Sequence, residues 1–173
     1  MKQTMFKLFS LAVIFALIFG FVPMQAQAAV PISSDIVISQ VYGGAGCSTA
    51  GCSTYQNDYV EIFNKGTTTV SLAGLSLQYA SATGSFNQVI AVLGTGAVTS
   101  LAPGQYYLVS GVFSSNGVNP IPTADAGGTT AMSATAGKIA LVNGTTALAC
   151  GATATTPVPC SSAQLAQIMD LVG

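Results

Sequence analysis

Short apolar segments separated by turn residues constrain the fold of this chain more than any other feature. Beyond the N-terminal region they are four to six residues long, and no helical periodicity runs far enough to form a core helix. Short apolar segments bounded by Gly, Pro, Asn and Ser are typical of strands. The pattern predicts an all-β domain. The expected strands are Ile36–Val41, Tyr59–Asn64, Leu75–Tyr79, Gln88–Leu93, Gln105–Val109, Lys138–Val142, Thr146–Ala149 and Ile168–Val172.

The connections carry local signals of their own. Asn143-Gly144 separates two expected strands and tolerates the positive φ of a type I′ turn, so we expect a hairpin there. Ala102-Pro103-Gly104 predicts a tight turn. Residues 110–137 are rich in Ser, Gly, Thr and Ala, and so long a loop in a compact domain is functional or mobile. Residues 161–167 suit a single helical turn.

The N-terminal region has the pattern of a signal peptide. Lys2 and Lys7 precede an apolar segment, residues 8–22, which is followed by the small-residue site Ala26-Gln27-Ala28. A membrane anchor is the alternative, but the apolar segment is short for a span of about 20 residues. We therefore expect cleavage after Ala28 and secretion of the product. Residues 29–35 are then a short linker, and residues 36–173 form one domain.

The charge that remains after cleavage excludes one class of partner. Only two lysines and five carboxylates remain, a formal charge of 2 − 5 = −3. Two lysines cannot neutralise a phosphate backbone, so we expect no direct binding of nucleic acid by this segment. No second apolar segment of spanning length follows, so we expect no membrane association after cleavage.

Four cysteines in an oxidising compartment predict disulfides. Four thiols allow three pairings. We favour Cys47 with Cys52 and Cys150 with Cys160, because each pair lies in a stretch rich in Gly, Thr or Pro that can bend back on itself. The alternative, a zinc site with four cysteine ligands, usually has Cys-x-x-Cys spacing, which this chain lacks.

Four segments in order resemble the lamin-tail domain, above all its bacterial secreted versions. They are Asn57-Asp58-Tyr59-Val60-Glu61-Ile62-Phe63-Asn64-Lys65-Gly66, Val70-Ser71-Leu72-Ala73-Gly74-Leu75-Ser76-Leu77, Leu101-Ala102-Pro103-Gly104-Gln105-Tyr106-Tyr107-Leu108-Val109 and Gly137-Lys138-Ile139-Ala140-Leu141-Val142-Asn143. The resemblance covers nearly the whole of residues 36–172. It implies an immunoglobulin-like β-sandwich, in agreement with the strand count.

The chain departs from the family pattern at two places. Leu75 stands where the family commonly has Trp, and repacking can accommodate the smaller side chain. In bacterial relatives the segment that resembles residues 169–173 usually continues into further strand residues, so a truncation at the C-terminus is one explanation for the end at Gly173. Secreted relatives often join this module to an endonuclease/exonuclease/phosphatase-type domain.

The residue types present do not form a recognisable catalytic group. The chain has no His, which removes Ser-His-Asp triads and imidazole bases. Asp58 and Glu61 are the nearest acidic pair, and strand alternation places them on opposite faces. We expect Glu61 to cap a loop or to accept a hydrogen bond from a backbone amide beside the turn at Asn64-Lys65-Gly66. A weak calcium site with Asp58 or Asp35 is the alternative.

Tyrosines are the remaining candidates for a binding surface. Six of them either line a carbohydrate or peptide groove or serve as half-buried cross-strand partners, which is the commoner role. They are Tyr42, Tyr55, Tyr59, Tyr79, Tyr106 and Tyr107.

The sequence thus favours a non-catalytic extracellular module that binds or positions an unidentified polymer or protein. We assign it no catalytic residue, cofactor or metal ligand. The alternative is the accessory region of a secreted nuclease whose catalytic domain is absent from this chain.

We expect the exported protein to begin at Ala29 and to contain no free thiol, because local cysteine pairs oxidise outside the cytoplasm. Intact mass spectrometry with and without alkylation measures both properties. Two alkylatable thiols in the unreduced protein would contradict the pairing, and bound zinc would support the alternative.

Overall fold

The computed structural model describes residues 35–173, so the expected signal peptide lies outside the described residues. Within this range the strands are β1 (Ile36–Tyr42), β2 (Ser53–Tyr55), β3 (Asn57–Asn64), β4 (Val70–Ser71), β5 (Leu75–Ser81), β6 (Gln88–Val92), β7 (Ser100–Leu101), β8 (Tyr106–Phe113), β9 (Gly117–Asn119), β10 (Ala126–Gly127), β11 (Gly137–Asn143) and β12 (Ile168–Val172), and there is one short helix, α1 (Ser162–Leu165). Seven of the eight expected strands are therefore confirmed. No helix among these residues is long and apolar enough to cross a membrane.

Two four-stranded sheets pack face to face. The first has the order β1-β3-β8-β10 and the second the order β12-β11-β5-β6. All pairings within them are antiparallel except that of β8 with β10. Each sheet contributes alternate side chains to one apolar core, which includes Val60 and Ile62 from β3 and Leu77 and Leu141 from the second sheet. This architecture is the immunoglobulin-like β-sandwich that the resemblance implies.

Alternation along β3 is confirmed by the burial of its side chains. Val60 and Ile62 are fully buried, whereas Tyr59, Glu61 and Phe63 are partly exposed on the opposite face. Its partner β8 follows the same rule.

The edges of the two sheets are joined by polar backbone contacts. A bulge in β1 falls between Ile38 and Gln40, and the carboxylate of Asp170 in β12 accepts a hydrogen bond from the Ile38 amide at 2.7 Å. On the other side, Gly128 lies so close to the Ile90 carbonyl that no side chain fits there. The edge strands of the two sheets are therefore in contact on both sides of the sandwich, β1 with β12 and β10 with β6.

A further layer covers the outer face of the second sheet. The chain between β11 and β12 crosses this face and forms a second apolar cluster. Leu148 and Cys150 from the crossing segment pack there with Val142 and Ile168 from the sheet. Consequently β5 is buried on both faces from Leu75 to Ala80.

The covering layer is held by a buried amide rather than by strand pairing. Gln78 is fully buried; its side-chain amide donates to the Thr146 carbonyl at 3.0 Å and accepts from the Leu148 amide at 2.9 Å. The prediction of a strand at Thr146–Ala149 is therefore wrong. Ala149 has a φ of 55°, in the left-handed region, which interrupts an extended conformation.

The expected hairpin across Asn143-Gly144 is also wrong. The strand β11 that ends at Asn143 pairs on one side with β5 and on the other with β12, so no strand edge is left for residues 146–149. The chain does turn after β11, but it then enters the covering layer instead of returning as a paired strand.

Both expected disulfides form. Cys47 is bonded to Cys52 with their Cα atoms 6.2 Å apart, and Cys150 to Cys160 with a Cα separation of 4.9 Å. The second bond lies in the covering layer. Lys138 links this layer to the connection between β5 and β6, because its ammonium donates to the carbonyls of Gly151 at 2.7 Å and Gly84 at 2.9 Å.

Residues 110–137, expected to be one long loop, contain strands and fixed contacts. Strand β8 continues to Phe113, and β9 and β10 follow within the same segment. The Asp125 carboxylate accepts from the Leu108 amide at 2.9 Å, which fixes the approach to β10. The expected helical turn is confirmed as α1, with a capping box between Ser161 and Gln164.

We expect Gln78→Leu to lower the free energy of unfolding by about 2–5 kcal/mol, because it leaves the Thr146 carbonyl and the Leu148 amide without their partner. Gln88→Leu is the matched control, since Gln88 lies exposed on the neighbouring strand β6. Urea unfolding measures both variants. Equal destabilisation by the two changes would show that the covering layer does not depend on Gln78.

Candidate binding surface

The outer face of the first sheet is the only broad sheet face that the described residues leave open to solvent. Tyr59, Glu61 and Phe63 lie on it along β3, and Tyr106 joins them from β8. The second sheet has no comparable face, because the covering layer occupies it. Apart from Phe113 at the end of β8, the partly exposed aromatic residues of β3 and β8 gather on one side of the sandwich.

Three tyrosines form a cluster at one end of this face. Tyr42 and Tyr59 are cross-strand partners whose rings stack nearly parallel, with centroids 5.5 Å apart. The Tyr55 ring meets both of them edge-on, at 5.1 Å from Tyr42 and 5.6 Å from Tyr59. Stacked and edge-on geometries at these distances are the favourable arrangements of aromatic rings. We call these three residues the tyrosine cluster.

A disulfide loop brings Tyr55 to the cluster. The loop closed by Cys47 and Cys52 leads directly into β2, which pairs with β9. The Cys47 carbonyl accepts from the Asn116 side-chain amide at 2.9 Å, which holds the loop against the chain before β9. The Tyr55 and Thr54 amides then donate to the Tyr42 hydroxyl. The disulfide thus fixes the position of an aromatic ring on the surface.

Glu61 lies beside the cluster and supplies its charge. One carboxylate oxygen accepts a hydrogen bond from the Ser39 hydroxyl at 2.7 Å. The Tyr59 hydroxyl donates to the Gln40 side chain at 3.3 Å. Burial raises the pKa of Tyr59, and Tyr55, Glu61 and Tyr42 raise it further, so its hydroxyl stays protonated and able to donate. The expected bond from Glu61 to the turn at residues 64–66 does not form; Asn64 itself accepts from the Gly66 amide.

A second aromatic pair lies farther along the same face. Phe63 and Tyr106 are cross-strand partners with ring centroids 4.6 Å apart. Tyr106 is 58% exposed, among the most exposed large side chains of the described part of the chain. The face therefore carries aromatic rings at both ends.

The six tyrosines divide between this surface and the core. Tyr42, Tyr55, Tyr59 and Tyr106 lie on the outer face, whereas Tyr79 and Tyr107 are buried. The buried hydroxyls accept from the backbone amides of Ser133 and Gly94. The interpretation as a common groove is therefore wrong for these two. Alternation along β8 is the signal that separates Tyr106 from Tyr107, because consecutive residues of a strand point to opposite faces.

Asp58 lies on the core side of β3 and serves the fold. It is fully buried, and its two oxygens accept hydrogen bonds from the amides of Ala45 at 2.7 Å and Met132 at 2.6 Å. Burial raises the pKa of Asp58, while the amides of Met132, Ala45 and Gly44 oppose the rise. Asp58 and Glu61 therefore point to opposite sides of the sheet and do not form a shared calcium site. Within residues 35–173 no three carboxylate or cysteine side chains converge as metal ligands.

An open cleft of about 540 Å³ lies at the edge of the sandwich beside β11. Its polar lining includes Ser133 and Thr135, whose hydroxyls bond to each other at 3.3 Å. Lys138 also borders it, but its ammonium is engaged by the Gly84 carbonyl, between β5 and β6, and by the Gly151 carbonyl of the covering layer. The side chains that line the cleft therefore offer no free charge to a ligand.

We expect the stability of the protein to depend on pH through Asp58. Because the folded-state pKa is above the ordinary value of 3.8, this group stabilises the fold fully below that pH. Its contribution is lost as pH rises through the folded-state pKa. Wild type should therefore lose unfolding free energy relative to Asp58→Asn as pH rises from 3, as measured by urea unfolding. A wild type that gains on the variant instead would show that the amide bonds outweigh burial.

Comparison with known proteins identifies the family. The family model of the Lamin Tail Domain matches residues 30–154, more than half of the chain. No curated protein and no solved structure matches the chain. The matched region includes the strands that carry the aromatic face and both cysteines of the first disulfide. The bacterial secreted type stays a prediction. With the fold and the family match in agreement, this chain belongs to the lamin tail domain family.

Proposed function

We propose that the protein is a secreted, non-catalytic module that binds an extracellular polymer or surface through the outer face of its first sheet. The observation that carries this proposal is the distribution of aromatic side chains. Tyr42, Tyr55, Tyr59, Phe63 and Tyr106 share that one solvent-facing side. Exposed groups of large aromatic residues rimmed by polar groups mark interaction sites.

The absence of an evident reaction centre supports a binding role. The family is a non-catalytic, immunoglobulin-like one. In the described part of the chain the buried carboxylate of Asp58 is engaged by backbone amides, and Glu61, on the opposite face of β3, accepts a hydrogen bond from Ser39. Metal-assisted hydrolysis needs carboxylates that converge on a cation, and these two diverge.

Two disulfides support a location outside the cytoplasm. Both cysteine pairs lie within bonding distance in the fold, and structural disulfides persist in oxidising compartments. The predicted signal peptide at residues 1–28 agrees with this location.

We expect the purified protein to adsorb to insoluble cell-envelope or biofilm polymer. Glu61→Arg should reduce adsorption several-fold, because it places a long cation in the middle of the aromatic face. Asn87→Arg is the matched control, since Asn87 is exposed in the turn between β5 and β6. Sedimentation of bound protein with the polymer measures adsorption, and circular dichroism verifies the fold of each variant.

Adsorption that both arginine variants reduce equally would place binding elsewhere and overturn the proposal for this face. The same preparations are incubated with DNA and magnesium as a check on catalysis. Metal-dependent cleavage that disappears in Glu61→Ala would contradict a non-catalytic role.

A further inference from the structure

The tyrosine cluster is held in place before any ligand arrives. The Tyr42 hydroxyl accepts from two backbone amides of the β2 strand, at 2.9 and 3.3 Å, and the Tyr59 hydroxyl is bonded to Gln40. The three rings also pack on one another. Side chains that are already ordered lose little entropy when a ligand packs against them.

Hydrogen-bonding groups lie between and beside these rings. Glu61 uses one oxygen for Ser39, and its second oxygen has no partner within residues 35–173. The Gln40 side-chain oxygen accepts from Tyr59, which leaves its exposed amide nitrogen available to a ligand. An apolar protein surface packed here would leave these groups buried and unpaired, at a cost in binding free energy. A ligand with both apolar C–H faces and many hydroxyls satisfies the rings and the polar groups together.

The charge of this face favours neutral ligands over anionic ones. Glu61 is a carboxylate at the centre of the face, and the Lys138 ammonium is engaged by carbonyls on the other side of the molecule. The second lysine of the described residues, Lys65, is exposed just beyond the end of β3, where it supplies a single cation. The described residues carry a formal charge of −3, so anionic polysaccharides and single-stranded nucleic acid, which also stack on aromatic rings, are disfavoured relative to a neutral chain.

The length of the face sets the size of the ligand. Tyr59 and Phe63 are four residues apart on one strand, a separation of roughly 13 Å at the rise of an extended chain. The Phe63 and Tyr106 pair thus lies beyond the reach of a single sugar ring stacked on the tyrosine cluster. A chain of several sugars can contact both ends.

We propose that this face binds a neutral polysaccharide. One sugar ring packs against the tyrosine cluster and bonds its hydroxyls to Glu61 and Gln40, and a later sugar of the same chain packs against Phe63 and Tyr106. This inference rests on the proposed function, since it names the ligand class of the same surface.

Calorimetric titration of the purified protein tests the proposal with cellohexaose, maltohexaose and chitohexaose. The matching disaccharides measure the effect of length, and polygalacturonate and single-stranded DNA measure the effect of charge. We expect at least one neutral hexasaccharide to bind more tightly than its disaccharide, and neither anionic polymer to bind.

Variants separate stacking from a general loss of structure. Tyr55→Ala and Tyr106→Ala should each weaken binding of the hexasaccharide roughly tenfold, while Tyr55→Phe, which keeps the ring, should bind as wild type does. The matched control is Phe113→Ala, because Phe113 is 61% exposed and makes none of the ring contacts of this face. Tyr106→Ala should leave disaccharide binding at the tyrosine cluster unchanged.

Failure of all three hexasaccharides to bind, or equal binding by Tyr55→Ala and wild type, would overturn the inference. If the protein then still adsorbs to envelope polymer and Glu61→Arg reduces that adsorption, the proposed function stands and the ligand belongs to a different class. Adsorption lost after protease treatment of the polymer would identify a protein as that ligand. If adsorption also fails, the proposed function fails with the inference.

Discussion

The buried carboxylate of Asp58 connects the parts of the chain that the strand ladders leave unpaired. Its two oxygens accept amides from Ala45, 13 residues before it, and from Met132, 74 residues after it. The Gly44 amide in turn donates to the Met132 carbonyl at 3.0 Å. One side chain thereby fixes both the segment that enters the first disulfide loop and the segment that leads into β11. The aromatic face depends on it indirectly, because the disulfide loop carries Tyr55.

Much of the fold is predictable from the sequence because the sheets obey simple alternation. Seven of eight expected strands, the cysteine pairs and the helical turn follow from local patterns. The covering layer does not follow from a local pattern, because the residues of β5 that it buries include polar ones. Ser76 and Gln78 alternate with apolar residues and so indicate a solvent-facing side of β5, yet both are fully buried. Nothing local to residues 76–78 shows that the chain 68 residues later supplies their hydrogen-bond partners.

The candidate surface is predictable only in part, and for a related reason. Alternation in β3 places Tyr59, Glu61 and Phe63 together, as expected. Which tyrosines join them depends on the registers of β1 and β8 and on the path of the disulfide loop. Register is a property of paired strands, so it cannot be read from one segment alone. The pair Phe63 and Tyr106 exists because β3 and β8 align these two residues across the sheet.

The contact between Asp170 and Ile38 also has a kinetic consequence. It joins β1 to β12 across 132 residues, and β12 brings Ile168 into the second apolar cluster as well. Pairings so distant in sequence form only after a very long loop has closed, and the chain entropy lost in that closure precedes the stabilising contacts. Domains dominated by such pairings fold slowly. The edge of β11 stays open until β12 docks. The interval between synthesis and docking is when this chain is most exposed to aggregation through its strands.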